Sequence, residues 1–326
     1  MSIKRFFLTS VILLLCSVLT CYAQQGEGAD FEIHVNSDND AIVAWSEDDI
    51  YYTYGIGLEM AFKTDSLLSL ENLFPSKKNY FFNAGIRMEG YTPSNKDVKT
   101  DDKEEADEIF DRPFAGLLFA TMEANYIFEN STLKTGVLLG IMGPSSGAGR
   151  LQVWFHKTIT GGTLVDGWKF QLPDQLLLNF NMAYTHEFTP QAKIISAFGS
   201  GEVLFGNLYM KATPSLGFRL GNFAPITRSV AFGNGTLLNA KESELFFLVK
   251  YGVGLNGYNA TAQGNLFGPK DEFALSATNT IDSLLTLGMY FSYDHWSVNL
   301  NHYFIFGSVV PKSNHTYARI GFFRRF

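Results

Sequence analysis

The chain has 326 residues, a formal net charge of −7 and no basic clusters, which argues against nucleic-acid binding. Both cysteines, Cys16 and Cys21, lie in the first 23 residues, so a chain cleaved after Ala23 has neither a disulfide nor a cysteine nucleophile. No later apolar stretch is long enough for a helical membrane span, yet 30 Phe and 15 Tyr make the chain rich in aromatic residues.

The first 23 residues are typical of a cleaved secretory signal peptide. Two basic residues precede an apolar run over 6–19, and a small-residue cleavage site ends at Ala23. A lipid-modified Cys21 is an alternative, although the preceding residues match a lipobox only loosely. Cleavage removes both basic residues, takes the formal net charge from −7 to −9, and leaves residues 24–326 as one predicted domain.

Alternation of apolar and polar residues predicts β-strands along most of the remaining chain. Leu178 and Phe180 are apolar, for example, whereas Asn179 and Asn181 are polar. This period of two gives each strand one apolar and one polar face, as in a barrel with lipid outside and a polar interior. A soluble β-sandwich is the alternative, but it does not require so many aromatic residues. Twelve such runs lie near residues 30–44, 49–63, 78–91, 113–128, 131–142, 173–187, 190–204, 206–220, 243–258, 283–294, 295–307 and 316–326.

The predicted fold is therefore all-β, a transmembrane antiparallel β-barrel of about 12 strands, with a short helical segment around residues 149–160. An even number of strands places both chain ends on the periplasmic side. The last strand ends on Phe326, similar to the C-terminal signal that the barrel-assembly machinery reads, so we expect that machinery as a partner during biogenesis. Arg324 interrupts the apolar face of this strand, which predicts a position near the lipid headgroups.

Several segments between the predicted strands are long. The segment over 91–112 carries eight acidic residues between Asp97 and Asp111. Such a run is typical of a solvated loop, and binding of divalent cations that bridge lipopolysaccharide phosphates is the alternative. The remaining long segments cover residues 64–77, 143–174, 222–243 and 254–282.

The segment that begins at Gly143 contains a candidate general base. In a helix, Gln152 and His156 are four residues apart and project from the same face. An imidazole next to a carboxamide can accept a proton from water while its partner orients the reactants. The alternative is a polar loop in which His156 only hydrogen-bonds a backbone carbonyl.

Three more places carry polar residues that call for an explanation. Asn39 and Asp40 follow the first strand, where they either form a turn or bind a hard cation such as Ca²⁺. Thr53 lies at the start of the next strand, and because neighbouring strands bring these ends together, it could donate a hydrogen bond to whatever Asp40 holds. Lys96 either contacts a phosphate or sugar or is simply solvated.

Six short motifs occur in order along the predicted barrel: Asn39-Asp40, Tyr52-Thr53-Tyr54-Gly55, Tyr91-Thr92-Pro93-Ser94, Asp111-Arg112-Pro113-Phe114-Ala115-Gly116, Gly143-Pro144, and Gln152 with His156. Together they resemble the lipid A 3′-O-deacylase family of outer-membrane enzymes, the LpxR-type deacylases. Each motif is weak alone, but the ordered set on a barrel pattern is specific, and it spans essentially the whole chain after Ala23.

The resemblance implies a Ca²⁺-dependent enzyme of the Gram-negative outer membrane. Its substrate is lipid A of lipopolysaccharide, from which it hydrolyses an ester-linked (3′-acyloxyacyl) chain. By position, His156 is the general base, Asp40 binds Ca²⁺, and Asn39, Thr53 and Gln152 complete the catalytic site. Hydrolysis by activated water needs no serine or cysteine nucleophile, which fits the lack of a G-x-S-x-G motif.

Two more positions come from the same resemblance. Lys96 matches a basic residue that is expected to bind the polar head of lipid A. Gly162 stands where the family often has a glutamate, and this departure leaves room for an inactive relative.

Three different classes of outer-membrane barrel compete with the deacylase interpretation. A porin or an adhesin is a passive barrel, and neither requires an ordered set of polar motifs. An outer-membrane phospholipase is an enzyme, but none of the six histidines lies in the His-x-Ser-Asn-Gly context that it needs. The deacylase interpretation therefore accounts for more of the sequence than these three classes do.

Overall fold

Twelve antiparallel strands form a closed barrel, as the sequence predicts. The computed structural model describes residues 28–39, 51–64, 66–96, 100–160, 165–239, 241–269, 271–307 and 314–326. The predicted signal peptide, residues 1–23, lies outside these ranges. Within them the strands are Phe31–Asn39 (β1), Tyr51–Phe62 (β2), Asn79–Thr92 (β3), Ala115–Ile127 (β4), Ser131–Met142 (β5), Gln175–Glu187 (β6), Ile195–Gly206 (β7), Tyr209–Asn222 (β8), Glu244–Asn259 (β9), Ile281–Tyr293 (β10), Trp296–Phe306 (β11) and His315–Arg325 (β12).

Most strand bounds agree with the predicted ones within a few residues. The largest difference is at β7, which begins at Ile195 instead of near residue 190. Thr189 and the residues after it form a turn in which the Ala192 N–H donates to the Thr189 carbonyl at 3.0 Å. Residues 40–44 and 49–50, which the sequence assigns to the first two strands, lie outside the described residues.

The two faces of the barrel differ as the alternation predicts. Along β6, Leu176 and Phe180 are exposed on the outer face, whereas Asn179 between them is buried in the lumen. In the lumen, Asp38 accepts hydrogen bonds from Arg87 and Arg319. An apolar exterior around a polar, ion-paired interior is the arrangement of a barrel whose outer face contacts lipid.

One rim of the barrel, the terminal rim, is where β1 begins and β12 ends. The segment over 223–239 folds into the lumen there, and Leu237 packs against the inward-facing side chains of Ala61, Phe81 and Ile127. The ion pair of Glu187 and Arg219 is fully buried beside it, at 2.5 Å. The sequence indicates only a Gly- and Asn-rich loop here, but the structure shows that this segment fills the terminal end of the lumen.

The opposite end, the distal rim, carries the α-helices of the described residues. They are Lys103–Ile109 (α1), Ala148–Phe155 (α2) and Ala260–Gln263 (α3), and a π-helical turn, His156–Thr160, continues directly from α2. The helical segment predicted around residues 149–160 is thus confirmed. Within the described ranges, no helix combines the length and the apolar character that a membrane span requires.

The acidic segment predicted as a loop contains α1. The Asp102 carboxylate accepts a hydrogen bond from the Glu104 N–H at 2.9 Å and caps this helix. Lys103 pairs with Glu272 at 2.6 Å. These contacts connect α1 to the loop that follows α3, so part of the acidic run has a structural role at the distal rim.

Candidate active site

A β-bulge at Thr53 reshapes the start of β2. Tyr52 pairs with Tyr91 and Tyr54 pairs with Gly90, so Thr53 is an extra residue on its strand. The Tyr52 hydroxyl therefore points into the lumen, where it donates to Asp38 at 2.7 Å, whereas Tyr54 lies on the outer face. Bulges are frequent at barrel rims and next to active sites because they redirect side chains.

Helix α2 lies against the outer face of the wall, not in the lumen. The Tyr54 hydroxyl donates to the Ala148 carbonyl at 2.7 Å, which fixes the first turn of α2 over β2. Gly116 on β4 has no side chain, and a Cβ atom there would lie 2.7 Å from the Ala148 Cβ. Gly147 is the N-cap residue just before the helix, and its φ of 75° is a left-handed conformation that favours glycine. Two glycines and one tyrosine therefore let α2 approach the wall closely.

Gln152 and His156 lie on one face of α2. The His156 N–H donates to the Gln152 carbonyl within the helix, so the two side chains are one turn apart. Gln152 is only 4% exposed, and its Oε1 accepts a hydrogen bond from Trp168 Nε1 at 2.7 Å. His156 is partly exposed and stands where α2 changes into the π-helical turn. Such changes of helix type are frequent at functional sites.

The wall contributes hydroxyl and amide groups next to this helix. Thr53 and Thr92 are both buried, and their Oγ1 atoms are 2.8 Å apart. Asn39 lies opposite Tyr54 in the β1–β2 register and on the same outer face, since Asp38 before it points into the lumen. Directly opposed residues of antiparallel strands are neighbours. Asn39 therefore lies beside the tyrosine that contacts α2.

Lys96 is buried near the base of the next loop. It is 7% exposed, so it is not the solvated side chain that one interpretation of the sequence expects. The turn before it is held by Ser94, whose N–H and hydroxyl donate to the Asp111 carboxylate at 3.0 and 2.7 Å. Tyr51 also donates to Asp111 at 2.7 Å. Tyr51 and Ser94, which are distant in the sequence, thus both donate to the Asp111 carboxylate.

Arg112 connects this loop to α3. Its Nη2 donates to the Thr261 carbonyl at 2.8 Å, and the guanidinium lies over the Tyr91 ring. Burial lowers the pKa of Arg112, although an arginine remains charged at neutral pH. Several motif residues are therefore structural supports, while Asn39, Thr53, Gln152 and His156 are brought to one region of the outer face.

The oxygen donors in this region suit a hard cation. In the part of the chain that the structure describes, no three His, Cys, Asp or Glu side chains form a metal-binding group. Asp40 and Gly162 lie outside that part. The donors that are present, an amide oxygen on Asn39 and the hydroxyls of Thr53 and Thr92, belong to the chemistry that Ca²⁺ prefers. A Ca²⁺ site here would depend on Asp40 and Asn39.

Sequence reasoning missed three residues that form this site. Tyr54 and Gly116 lie in the quoted motifs but carry no predicted role, and Trp168 lies outside them. Each acts through a contact between residues far apart in the sequence: Tyr54 with Ala148, Gly116 with Ala148, and Trp168 with Gln152. No local pattern of the sequence indicates these contacts.

The fold and the site together define a transmembrane β-barrel protein that carries a polar site on the lipid-facing side of its wall. A family model described as outer membrane protein LpxR matches residues 7–326, so the chain belongs to the LpxR family of outer-membrane proteins. No curated protein sequence matches it.

Two solved structures are similar to this chain to different degrees. LpxR from Salmonella typhimurium superposes with a TM-score of 0.69 at 18% sequence identity, over 90% of this chain and 100% of that chain. The β domain of the Bordetella autotransporter BrkA gives a TM-score of 0.46 at 10% identity, over 92% of this chain and 100% of its own. The first likeness agrees with the twelve-stranded architecture.

Proposed function

We propose that this chain is an outer-membrane lipid A deacylase that hydrolyses an ester-linked (3′-acyloxyacyl) chain of lipopolysaccharide. The observation that carries the proposal is the position of α2, which holds Gln152 and His156 over the outer face of the wall at the distal rim. With both chain ends in the periplasm, the distal rim is extracellular. A substrate in the outer leaflet can therefore reach His156 from the membrane without entering the lumen.

The surface of α2 supports a lipid substrate. Trp154 and Phe155 are exposed on the helix immediately before His156, at 53% and 42%. Aromatic side chains favour the boundary between acyl chains and headgroups. In lipid A this boundary also contains the ester bonds, because they join the acyl chains to the sugars.

The filled lumen argues against the porin alternative. The segment over 223–239 occupies the terminal end, and a cavity of about 340 Å³ lies towards the distal loops, lined among others by Tyr52, Tyr91 and Arg112. Such a volume suits a cluster of waters or one small molecule. A passive channel also gives no reason for a helix with a buried glutamine on the outside of the wall.

His156 is proposed to act as the general base. Its imidazole takes a proton from water, the resulting hydroxide attacks the ester carbonyl carbon, and a tetrahedral oxyanion forms. Collapse of this intermediate breaks the bond to the sugar oxygen, which receives the proton from the imidazolium, and the fatty acid leaves. Ca²⁺ bound by Asp40 and Asn39 would supply positive charge near the oxyanion. Thr53 would orient groups beside it, and Lys96 would contact the polar head of lipid A.

The proposal is tested by mass spectrometry of lipid A. Membranes of a Gram-negative host that contain the wild type, His156→Ala or His186→Ala are incubated with Ca²⁺ or with a chelator. His186 is the matched control, because it lies at the terminal-rim end of β6, whereas α2 lies at the distal rim. We expect loss of one acyloxyacyl unit with the wild type and His186→Ala, and no loss with His156→Ala or with chelator.

Two outcomes would contradict this proposal. Unchanged lipid A with folded, detergent-activated wild type would identify an inactive relative or a passive barrel. Equal cleavage by His156→Ala would remove His156 from the mechanism. If chelation abolishes cleavage but His156→Ala does not, Ca²⁺ is required and His156 is not the base.

A further inference from the structure

The hydrogen bond between Trp168 and Gln152 uses only the oxygen end of the glutamine amide. Both side chains are buried, at 6% and 4% exposure, and Trp168 Nε1 lies 2.7 Å from Gln152 Oε1. The Trp168 ring lies against the backbone of Gly149, where a Cβ atom would come within 2.6 Å of it. Within the described residues, Gln152 Nε2 is buried and makes no hydrogen bond.

The chemistry of the indole fixes the orientation of the amide. An indole N–H can only donate, so it selects the carbonyl oxygen of Gln152 and rejects the NH₂ group. A rotated amide would place donor against donor in a buried site and would lose the bond. The Nε2 group of Gln152 is therefore held on the side of the amide that faces away from Trp168, where its N–H groups have no partner within the described residues.

We infer that Gln152 Nε2 donates a hydrogen bond to the carbonyl oxygen of the scissile ester, and that Trp168 is the positioning residue that keeps it a donor. This inference rests on the proposed deacylase function and specifies a role at that site. Gln152 shares a helix face with His156, so the donor and the base act on the same substrate group. A buried polar group without a partner in the protein fits a ligand that completes it.

This role differs from that of a metal ligand. Gln152 Oε1 uses one of its two lone pairs to accept from Trp168, whereas the amide Nε2, the end of the side chain that has no partner in the described residues, has no lone pair for a cation and can only donate. As negative charge develops on the ester oxygen, a fixed N–H donor stabilises it more strongly than it stabilises the neutral carbonyl. Gln152 would then lower the barrier together with the cation.

Gln152→Glu is the discriminating variant because it keeps the size and shape of the side chain. A carboxylate can still accept from Trp168, but it presents an acceptor where Gln152 presents a donor. Losing one such donor costs about 100-fold or more in kcat. We expect that loss with unchanged Ca²⁺ requirement and unchanged heat-modifiability on gels. Full activity at lower Ca²⁺ would identify Gln152 as a metal ligand and overturn the inference.

The role of Trp168 is tested by removing only its N–H. Replacing Trp168 with benzothienylalanine, which has sulfur in place of the N–H, keeps the ring that packs on Gly149. Since one buried hydrogen bond holds the amide, about a 10-fold fall in kcat is expected, with KM unchanged. Phe114→Leu is the control, because Phe114 packs on Trp168 but leaves the N–H in place. Unchanged kcat in the benzothienyl variant would overturn the positioning role.

A binding measurement separates this inference from the proposed function. An alkyl phosphonate resembles the tetrahedral oxyanion, and its binding is followed by the ¹⁵N–H resonance of Gln152, assigned with Gln152→Glu. We expect a downfield shift on binding in the wild type and a smaller one in the benzothienyl variant. Intact lipid A with a shifted resonance would contradict deacylation only. Lipid A cleavage with an unshifted resonance would contradict the donor role only.

Discussion

The outer face of β2, β3 and β4 is covered by a chain segment at each end, and the two covers are attached in the same way. At the distal rim, Tyr54 donates its hydroxyl to the Ala148 carbonyl of α2. At the terminal rim, Tyr126 donates its hydroxyl to the Leu70 carbonyl in the turn between β2 and β3, at 2.9 Å. Both tyrosines lie on the outward side of the wall, and each holds one carbonyl.

What lies under each cover is different. Beneath the turn that contains Leu70, the wall presents Phe82, Ala124 and Tyr126, which pack with Phe74 into an apolar cluster. Beneath α2, glycines bring the helix close, and the threonine pair and Gln152 remain as buried polar groups. Apolar packing alone is enough to attach a cover to this wall. The two threonines satisfy each other, but a buried polar group without a partner reduces stability, and within the described residues Gln152 Nε2 is such a group under α2.

Gly116→Val should have the largest effect of the variants considered, a loss of activity. The new side chain would collide with Ala148 and Ser146, so α2 would be displaced from the wall. A shift of about 1 Å in a catalytic group can cost about 100-fold in rate, and we expect at least that loss in lipid A cleavage. Gly201→Val on β7 is the control, because its Cβ would meet no atom within 4 Å. Equal activity of both variants would show that the close approach of α2 is dispensable.

Phe74→Ala should lower the stability of the protein and leave kcat unchanged. Phe74 packs edge-on against Tyr126 with ring centroids 4.7 Å apart, and it is partly exposed. Its truncation should therefore cost about 2 kcal/mol in the free energy of unfolding, less than at a fully buried site. The measurement is urea unfolding in detergent micelles, alongside kcat on lipid A. A large fall in kcat without a change in stability would mean that the two covers are coupled.

Variants of the two tyrosines should have the smallest effects, and they compare the two covers most directly. Tyr54→Phe and Tyr126→Phe each remove one hydroxyl-to-carbonyl hydrogen bond, worth about 1 kcal/mol of stability. We expect similar shifts in the urea midpoint, but only Tyr54→Phe should reduce kcat, by several-fold, since only its carbonyl partner belongs to α2. If both variants retain full kcat, the Tyr54 contact does not set the position of α2.

The barrel could be predicted from the amino-acid sequence alone. Alternation with a period of two depends only on neighbouring residues, so twelve strands were predictable with most bounds correct within a few residues. Arg324 interrupts the apolar face of the last strand in the sequence, and in the structure its guanidinium lies 4.6 Å from the centroid of the Trp296 ring, while its place near the lipid headgroups stays a prediction. The short helix with Gln152 and His156 on one face followed from their spacing of four residues.

The place of that helix, and what its side chains present, depend on contacts that form only in the folded chain. The bulge at Thr53 comes from a register shift between two strands, and α2 is placed by contacts of Tyr54 and Gly116 with Ala148. The orientation of Gln152 depends on Trp168, and the filling of the lumen by residues 223–239 depends on side chains from several strands. These features are pairings between distant residues. Local preferences of the chain specify strands and turns, but not which distant surfaces meet.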